Sequence, residues 1–299
     1  TNPHIIEKVW PNYKEIGFPI EATCTESEFS VLGAEKKWDI PHKLYPKSFD
    51  KTGYLVLTLS YVVNWMANQV QEKAKEVPNV TIDLFTGFAA HSVAFENGRV
   101  AGVAVTEEPT SEEDYVYGKF TCFGDKGFIS RDVVDHFKLR DNPQIWSVGV
   151  KEVWQLNESV EGKVWHTLGY PLLDGTFGGG FVYGMKDSKL TIGMVISLDS
   201  QDPNMNPQQK LQDYKKHPFI QKLIAGGKLL KYGAALLPEG GYYSLPKKFY
   251  VPGALLMGDA LGTLDVKYLA GVDRAMECGY VAAKVLHDAL VKDDTSEAA

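Results

Sequence analysis

The sequence predicts an α+β protein carrying the remnant of an α/β unit, and three observations predict it. Two antiparallel hairpins are written into the chain, one turning at Asn97-Gly98 and one at Lys186-Asp187-Ser188. A short apolar run at 255–257 ends in Gly258-Asp259 and leads to a long segment rich in small residues from Gly271, the strand–turn–helix order of an α/β unit. Helical periodicity is confined to a few segments, so strands carry much of the chain.

Taken in order, residues 1–50 are rich in aromatics and proline and show little period. Residues 54–58 read as a buried strand. Ser60 is placed to cap a helix running to about Lys75, with Val62, Met66 and Val70 on one face. Strands are expected at 80–85, 90–95 and 100–106, the last two joined at Asn97-Gly98, a strong hairpin signal. The acidic stretch 107–118 reads as a surface loop and 131–137 as a short helix. Strands are expected at 145–155, 181–185 and 190–198. A helix over 206–216 is stopped near Pro218. The last helix, 271–290, lines Ala275, Gly279, Ala282 and Ala283 along one side. The polar tail 291–299 is expected to fray.

Composition narrows the function classes. The 299 residues are 44% hydrophobic and 23% charged, enough for a sizeable core without a disulfide or metal staple. Net charge is −7 and no Lys/Arg run exceeds two residues, so the clustered cations of a nucleic-acid footprint are missing. Cys24, Cys122 and Cys278 are scattered and odd in number; three reduced, buried thiols are expected. No apolar run approaches the roughly 20 residues of a membrane helix. The chain starts at Thr1 without Met and reads as a processed chain or a fragment. The histidines lack zinc spacing, and no Gly-x-Ser-x-Gly elbow occurs. Trp65, Trp146, Trp154 and Trp165 read as core residues, and Asp199 and Asp202 as a solvated pair.

Two glycine-bearing stretches could carry chemistry. In Met257-Gly258-Asp259-Ala260-Leu261-Gly262, a turn between a strand and a helix exposes backbone N–H groups, and a helix N-terminus favours an anion. Many flavoproteins place the flavin's pyrophosphate and ribityl chain at such a turn; a plain tight turn is the competing reading. Gly178, Gly179 and Gly180 precede a strand, which permits close approach of a ligand or of another backbone.

Several further segments resemble one family. Val164-Trp165-His166-Thr167-Leu168-Gly169-Tyr170-Pro171-Leu172 is similar to the His-Thr-x-Gly-Trp-Pro-Leu pattern of electron-transfer flavoprotein–ubiquinone oxidoreductases. The glycine run follows at the family's spacing. So do His217-Pro218-Phe219-Ile220, Gly226-Gly227-Lys228, Tyr232-Gly233-Ala234, Glu239-Gly240-Gly241 and Ser244-Leu245-Pro246. Gly149-Val150-Lys151-Glu152-Val153-Trp154 and Val63-Asn64-Trp65-Met66 also match. The resemblance extends from about Pro11 to Leu290.

It implies an FAD domain of the glutathione-reductase-like type, interleaved with an antiparallel-sheet quinone domain. The quinone part would take 1–78 and 141–248. The FAD-domain remnant would take 79–140, a β-meander, and 249–299. It further implies a place on the matrix face of the mitochondrial inner membrane, with electrons passed from a soluble flavoprotein to ubiquinone through FAD and a four-iron cluster. Gly178 and Gly179 match the glycines at the quinone head group. Gly124, Gly127, Gly258, Asp259, Gly262 and Gly271 match the flavin side.

The sequence also departs from the family. No Gly-x-Gly-x-x-Gly occurs, so nothing cradles the ADP half of FAD. Three scattered cysteines cannot ligate a 4Fe-4S cluster. Thr58 stands at a cofactor-contacting Arg. The Glu-Gly-x-x-Gly motif reads Phe123-Gly124-Asp125-Lys126-Gly127, and the Lys-x-Lys-Gly before the last helix reads Tyr268-Leu269-Ala270-Gly271. The expectation is a degenerate member: FAD only with a completing segment, no 4Fe-4S, ubiquinone as the remaining ligand. Its role would be that of an accessory subunit held by protein partners in a respiratory membrane complex, with peripheral membrane contact and no nucleic acid. The alternatives are an active FAD-dependent oxidoreductase completed by another segment or chain, and a quinone- or lipid-binding module without redox chemistry.

Overall fold

The computed structural model describes residues 1–44, 46–106, 114–124, 127–294 and 296. In chain order its elements begin with α1 (His4–Val9), β1 (Ala22–Thr23), β2 (Glu26–Leu32), β3 (Lys37–Asp39), β4 (Leu55–Val56) and α2 (Leu59–Glu76). A meander follows, β5 (Ala89–Glu96), β6 (Arg99–Thr106) and β7 (Asp114–Tyr117), then β8 (Thr121–Phe123) and α3 (Phe128–His136). The middle of the chain supplies β9 (Trp146–Gln155), β10 (Lys163–Gly169), β11 (Gly178–Met185), β12 (Lys189–Ser197), α4 (Pro207–Lys216), α5 (Pro218–Ile224) and β13 (Lys228–Pro238). The last elements are β14 (Tyr250–Val251), β15 (Ala254–Leu256) and α6 (Val272–Val291).

One sheet dominates, with seven strands in the order β13-β9-β12-β11-β10-β2-β3. All its pairs are antiparallel except β10 with β2. Its centre is dry because β12 supplies Leu190, Ile192, Met194 and Ile196, each at most 1% exposed. Leu211 and Tyr214 of α4 and Ile220 of α5 join the same cluster. Asn206 caps α4 by accepting from Gln209 N–H at 3.1 Å, and Pro207 takes the first turn, where its missing donor costs nothing.

Two three-stranded sheets lie outside it, β5-β6-β7 and β14-β15-β8. In the second, β15 runs parallel to β8. Val100, Phe123, Ala254 and Leu256 form a shared core with Val133 and Val134 of α3. Both hairpin turns take the left-handed backbone that tight hairpins demand: φ is +50° and +75° at Asn97 and Gly98, and +57° and +53° at Asp187 and Ser188.

Several expectations are corrected. Residues 80–85 form no ladder; they alternate like a strand, but among the described residues no neighbour pairs with them, and Val80, Ile82, Leu84 and Phe85 are exposed. Of 107–118, residues 107–113 lie outside the described set, and Asp114–Tyr117 is a strand. The α2 cap is Thr58, not Ser60, and its hydroxyl donates to Glu21 Oε1 at 2.6 Å instead of capping. Only Leu55–Val56 of 54–58 is paired. The low-period N-terminal region carries β2, a ladder partner of β10. Of the four tryptophans only Trp165 is fully buried. Cys24 is buried, whereas Cys122 is exposed and Cys278 half-buried. On α6, Ala282 is buried but Ala283 is exposed.

Candidate functional site

The structure separates the two groups of site residues read from the sequence. Gly178 and Gly179 open β11, opposite Ile196 and Val195 of β12. They belong to the strand itself, which starts three residues earlier than its apolar run suggests. A Cβ at Gly178 would strike the Val195 carbonyl, and one at Gly179 would lie 2.7 Å from the Thr167 carbonyl. At Gly180 it would lie 2.5 Å from the Tyr214 hydroxyl, which pairs with Thr167 Oγ1 at 2.9 Å. Close strand packing therefore requires residues without a Cβ here. Beside them the sheet ends in an exposed apolar rung: Leu168, Val31 and Trp38 are register partners across three strands, and Leu168, Trp38, Leu173 and Phe177 are exposed.

Of the residues expected on the flavin side, Gly124 and Gly258 lie just past the carboxyl ends of β8 and β15, the end at which open α/β sheets bind ligands. Gly124 follows β8, and Gly258 follows β15 by two residues, with φ +55° and Ala275 of α6 packed close against it. The turn keeps its own donors, however. The N–H groups of Ala260, Leu261, Gly262 and Thr263 all bond back to the carbonyls of Met257, Gly258 or Asp259 at 3.1–3.3 Å. Asp259 is half-buried in this turn. Gly262 packs against Gln144 and Pro238, and Gly127 caps α3. Asp125 and Lys126 of that motif lie outside the described residues.

Gly271, the N-cap of α6, leads to a different place. A cavity of about 220 Å³ opens between the head of α6, β4 and the β10–β11 pair, lined by Cys24, Lys51, His166, Tyr183, Gly271 and Asp273 among others. Lys51 is 6% exposed, and its ammonium donates to the Ser48 carbonyl at 2.6 Å and the Tyr268 carbonyl at 2.5 Å. It thus straps the Tyr268-Leu269-Ala270-Gly271 turn to the N-terminal region. Burial pulls its pKa down, opposed by the charges of Asp273 and Asp265. His166 Nε2 lies 3.0 Å from the Tyr183 hydroxyl, and burial drives the imidazole down to about 3, so it is neutral. Burial raises the Cys24 thiol to about 11 and removes it as a nucleophile.

Lys51 and Asp273 were not singled out by the sequence, and His166 entered only within a motif. Nothing in the low-period N-terminal region signals a buried lysine, since the carbonyls that hold Lys51 come partly from residue 268. Among the described residues no cluster of His, Cys, Asp or Glu suits a metal ion, and no helix is long and apolar enough to cross a membrane. The described residues do not by themselves fit FAD. The N–H groups of Ala260 to Thr263 are bonded inside the Gly258 turn, and the cavity at the head of α6 is smaller than the roughly 300–1,000 Å³ of typical organic-ligand pockets. The Asp273 carboxylate sits in the first turn of α6, the helix end that would otherwise favour a ligand's negative charge.

Residues 146–237 match the family described as "ETF-QO, ubiquinone-binding". Mitochondrial electron transfer flavoprotein-ubiquinone oxidoreductase of Oryza sativa subsp. japonica is 32% identical over 99% of this chain and 52% of its own length. The Sus scrofa protein of that name is 33% identical over 98% of this chain and 49% of its own. Among solved structures, a geranylgeranyl bacteriochlorophyll reductase-like protein from Thermoplasma acidophilum aligns with a TM-score of 0.66 at 18% identity, over 93% of this chain and 65% of its own. A myxobacterial FAD-dependent chondrochloren halogenase aligns with a TM-score of 0.62 at 16% identity, over 99% and 64%. These establish a mixed α/β fold shared with such proteins. The chain spans about half the length of the curated relatives it matches, and over that span it belongs to the electron transfer flavoprotein–ubiquinone oxidoreductase family.

Proposed function

We propose that this chain is an electron transfer flavoprotein–ubiquinone oxidoreductase-like protein that keeps the quinone-side sheet and has turned its flavin-side surfaces to structural use. In this reading it serves as an accessory subunit of a respiratory complex on the matrix face of the mitochondrial inner membrane. Its curated relatives from plants and mammals carry mitochondrial names, which motivates the compartment.

The observation that carries the reading is Lys51. A buried ammonium bonded to Tyr268 locks the turn where the family pattern has lysines, and Thr58 is likewise spent on Glu21. Quinone contact is assigned to the start of β11 at Gly178 and Gly179, inside the matched ubiquinone-binding segment. The exposed Leu168, Trp38, Leu173 and Phe177 beside it, with the exposed Lys36 and Lys43 nearby in sequence, supply a surface for peripheral membrane contact. The long edge of β13 supports protein partners.

The test is the visible spectrum of the native complex and of the purified chain. No flavin absorbance stoichiometric with this chain is expected. A stoichiometric flavin bound by these residues would overturn the reading in favour of an FAD-dependent oxidoreductase completed by a further segment or chain.

A further inference from the structure

The outer edge of β13 pairs with no strand among the described residues. Every residue from Lys228 to Leu236 is exposed. Nothing lies within 4 Å of the place a Cβ would take at Gly233, so the middle of the strand is open. Such an edge offers a row of backbone N–H and C=O groups to another strand.

The usable part of the edge is bounded at both ends. Between Leu229 and Lys231 the ladder to β9 shifts its register, and Pro238 has no N–H to offer. The unbroken stretch is 231–237, and its midpoint is Ala234. Two copies related by a two-fold axis pair antiparallel, residue i with j and j with i. The register centred on Ala234 is the one that uses the whole stretch in both copies.

The side chains suit that register. Tyr232 faces Leu236 of the second copy, twice over, so exposed apolar surface is covered on both. Gly233 faces Ala235 and Ala234 faces its own copy, which keeps the axis free of bulk. Lys231 faces Leu237, and the two Lys231 residues stand roughly 20 Å apart along the ladder, so no like charges are directly opposed. Glu239 continues the strand, its N–H donating to the Ile145 carbonyl at 2.9 Å. On the same face it becomes a diagonal neighbour of the second copy's Lys231, about 7–8 Å away.

We propose that β13 is where two copies of this chain pair, antiparallel about Ala234, so that one sheet runs across the axis. The occupant is a second copy because the edge is complementary to itself from end to end. This rests on the proposed function in so far as a protein partner is expected at this edge, and it names that partner.

The test is site-directed cross-linking of the full chain. In the pair, the two Ala234 Cα atoms lie about 4.5–5.5 Å apart, inside the roughly 4.4–6.8 Å that a disulfide spans. The two Leu236 residues are roughly 14 Å apart along the ladder and cannot be bridged. Cys122→Ser removes the exposed native thiol and provides the parent. Ala234→Cys or Leu236→Cys is added to it, and each chain is oxidised by dissolved oxygen and run on a non-reducing gel. Ala234→Cys is expected to become mostly covalent dimer, while Leu236→Cys stays at the parent's level. Should Ala234→Cys fail to fold, Tyr232→Cys and Leu236→Cys chains serve instead: they are expected to cross-link when mixed and not when oxidised separately. Cross-linking of Ala234→Cys no greater than that of Leu236→Cys would overturn the pairing. So would a mixture that cross-links no more than its components. Flavin absorbance is read separately, so this pairing and the proposed function can each fail alone.

Discussion

Glu152 is 2% exposed on β9, and three side chains hold its carboxylate. Lys215 Nζ donates to both oxygens at 2.9 Å, Trp154 Nε1 donates at 2.9 Å, and Gln212 Nε2 donates at 3.3 Å. Two of these donors come from α4, so the pair ties that helix to the sheet. Removing one member of a buried pair strands the other charge. Lys215→Met should therefore destabilise by about 2–3 kcal/mol, less than the roughly 3–5 kcal/mol of a fully stranded charge because two donors remain. Chemical denaturation measures it, and converting Glu152 to Leu in the same chain should recover part of the loss. His166 gives a second residue-scale prediction. It is neutral when folded, with its pKa at about 3 against 6.5. Below pH 6.5 the unfolded chain gains a proton that the folded chain refuses. The contribution is thus fully present above pH 6.5 and is lost as pH falls toward 3. At pH 5 the loss is roughly 2 kcal/mol. His166→Gln should flatten the acid limb of a melting-temperature profile between pH 7 and 5. An identical limb in wild type and variant would refute the assignment.

At the scale of elements, the start of β11 shows how one glycine run answers two demands. Gly178 and Gly179 are candidates for the quinone head group, yet their Cβ positions are blocked by the Val195 and Thr167 carbonyls and by Leu172 and Leu168. Gly179→Ala should therefore lower stability by about 1–3 kcal/mol, the usual cost of forcing a methyl group into a packed site. A binding loss in Gly179→Ala means something for quinone contact only when measured beside that stability change; an alanine variant as stable as wild type would show the packing account to be wrong. The same strand marks what was legible beforehand. Apolar residues at 181–185 and 190–198 pointed to two strands and their turn, because burial on the sheet imposes a period of two. The glycines themselves carried no period, so the first residues of β11 were invisible. β13 was missed for a related reason: its side chains are mostly exposed, and Leu229, Lys231, Tyr232 and Leu236 follow no burial pattern. β2 was hidden because Glu26, Glu28 and Ser30 interrupt its apolar residues. In the cavity, His166, Lys51 and Asp273 come from three distant segments, and only the fold brings them together.

At the scale of the whole molecule, the interior is well closed while the margins are not. Of the eighteen residues of α2 only Val62 is buried, and Leu59, Tyr61, Val63 and Val70 face outward. The seven-stranded sheet ends at β13, whose outer edge pairs with no strand among the described residues. An eleven-residue edge strand with exposed apolar side chains is a template for another chain. Lys228 and Lys231 blunt it only in part, since Leu229, Leu230, Tyr232 and Leu236 stay exposed between and beyond them. The purified chain is accordingly expected to self-associate in a concentration-dependent way. Charges on an edge strand oppose such pairing, so Tyr232→Lys combined with Leu236→Lys should shift the population toward monomer without lowering the melting temperature. Both positions are solvent-facing at 80% and 47% exposure, which is why stability should be spared. Sedimentation velocity over a concentration series distinguishes the cases. A wild-type chain that stays monomeric throughout would show that this edge is adequately protected, and the case for a permanent partner at β13 would fall with it.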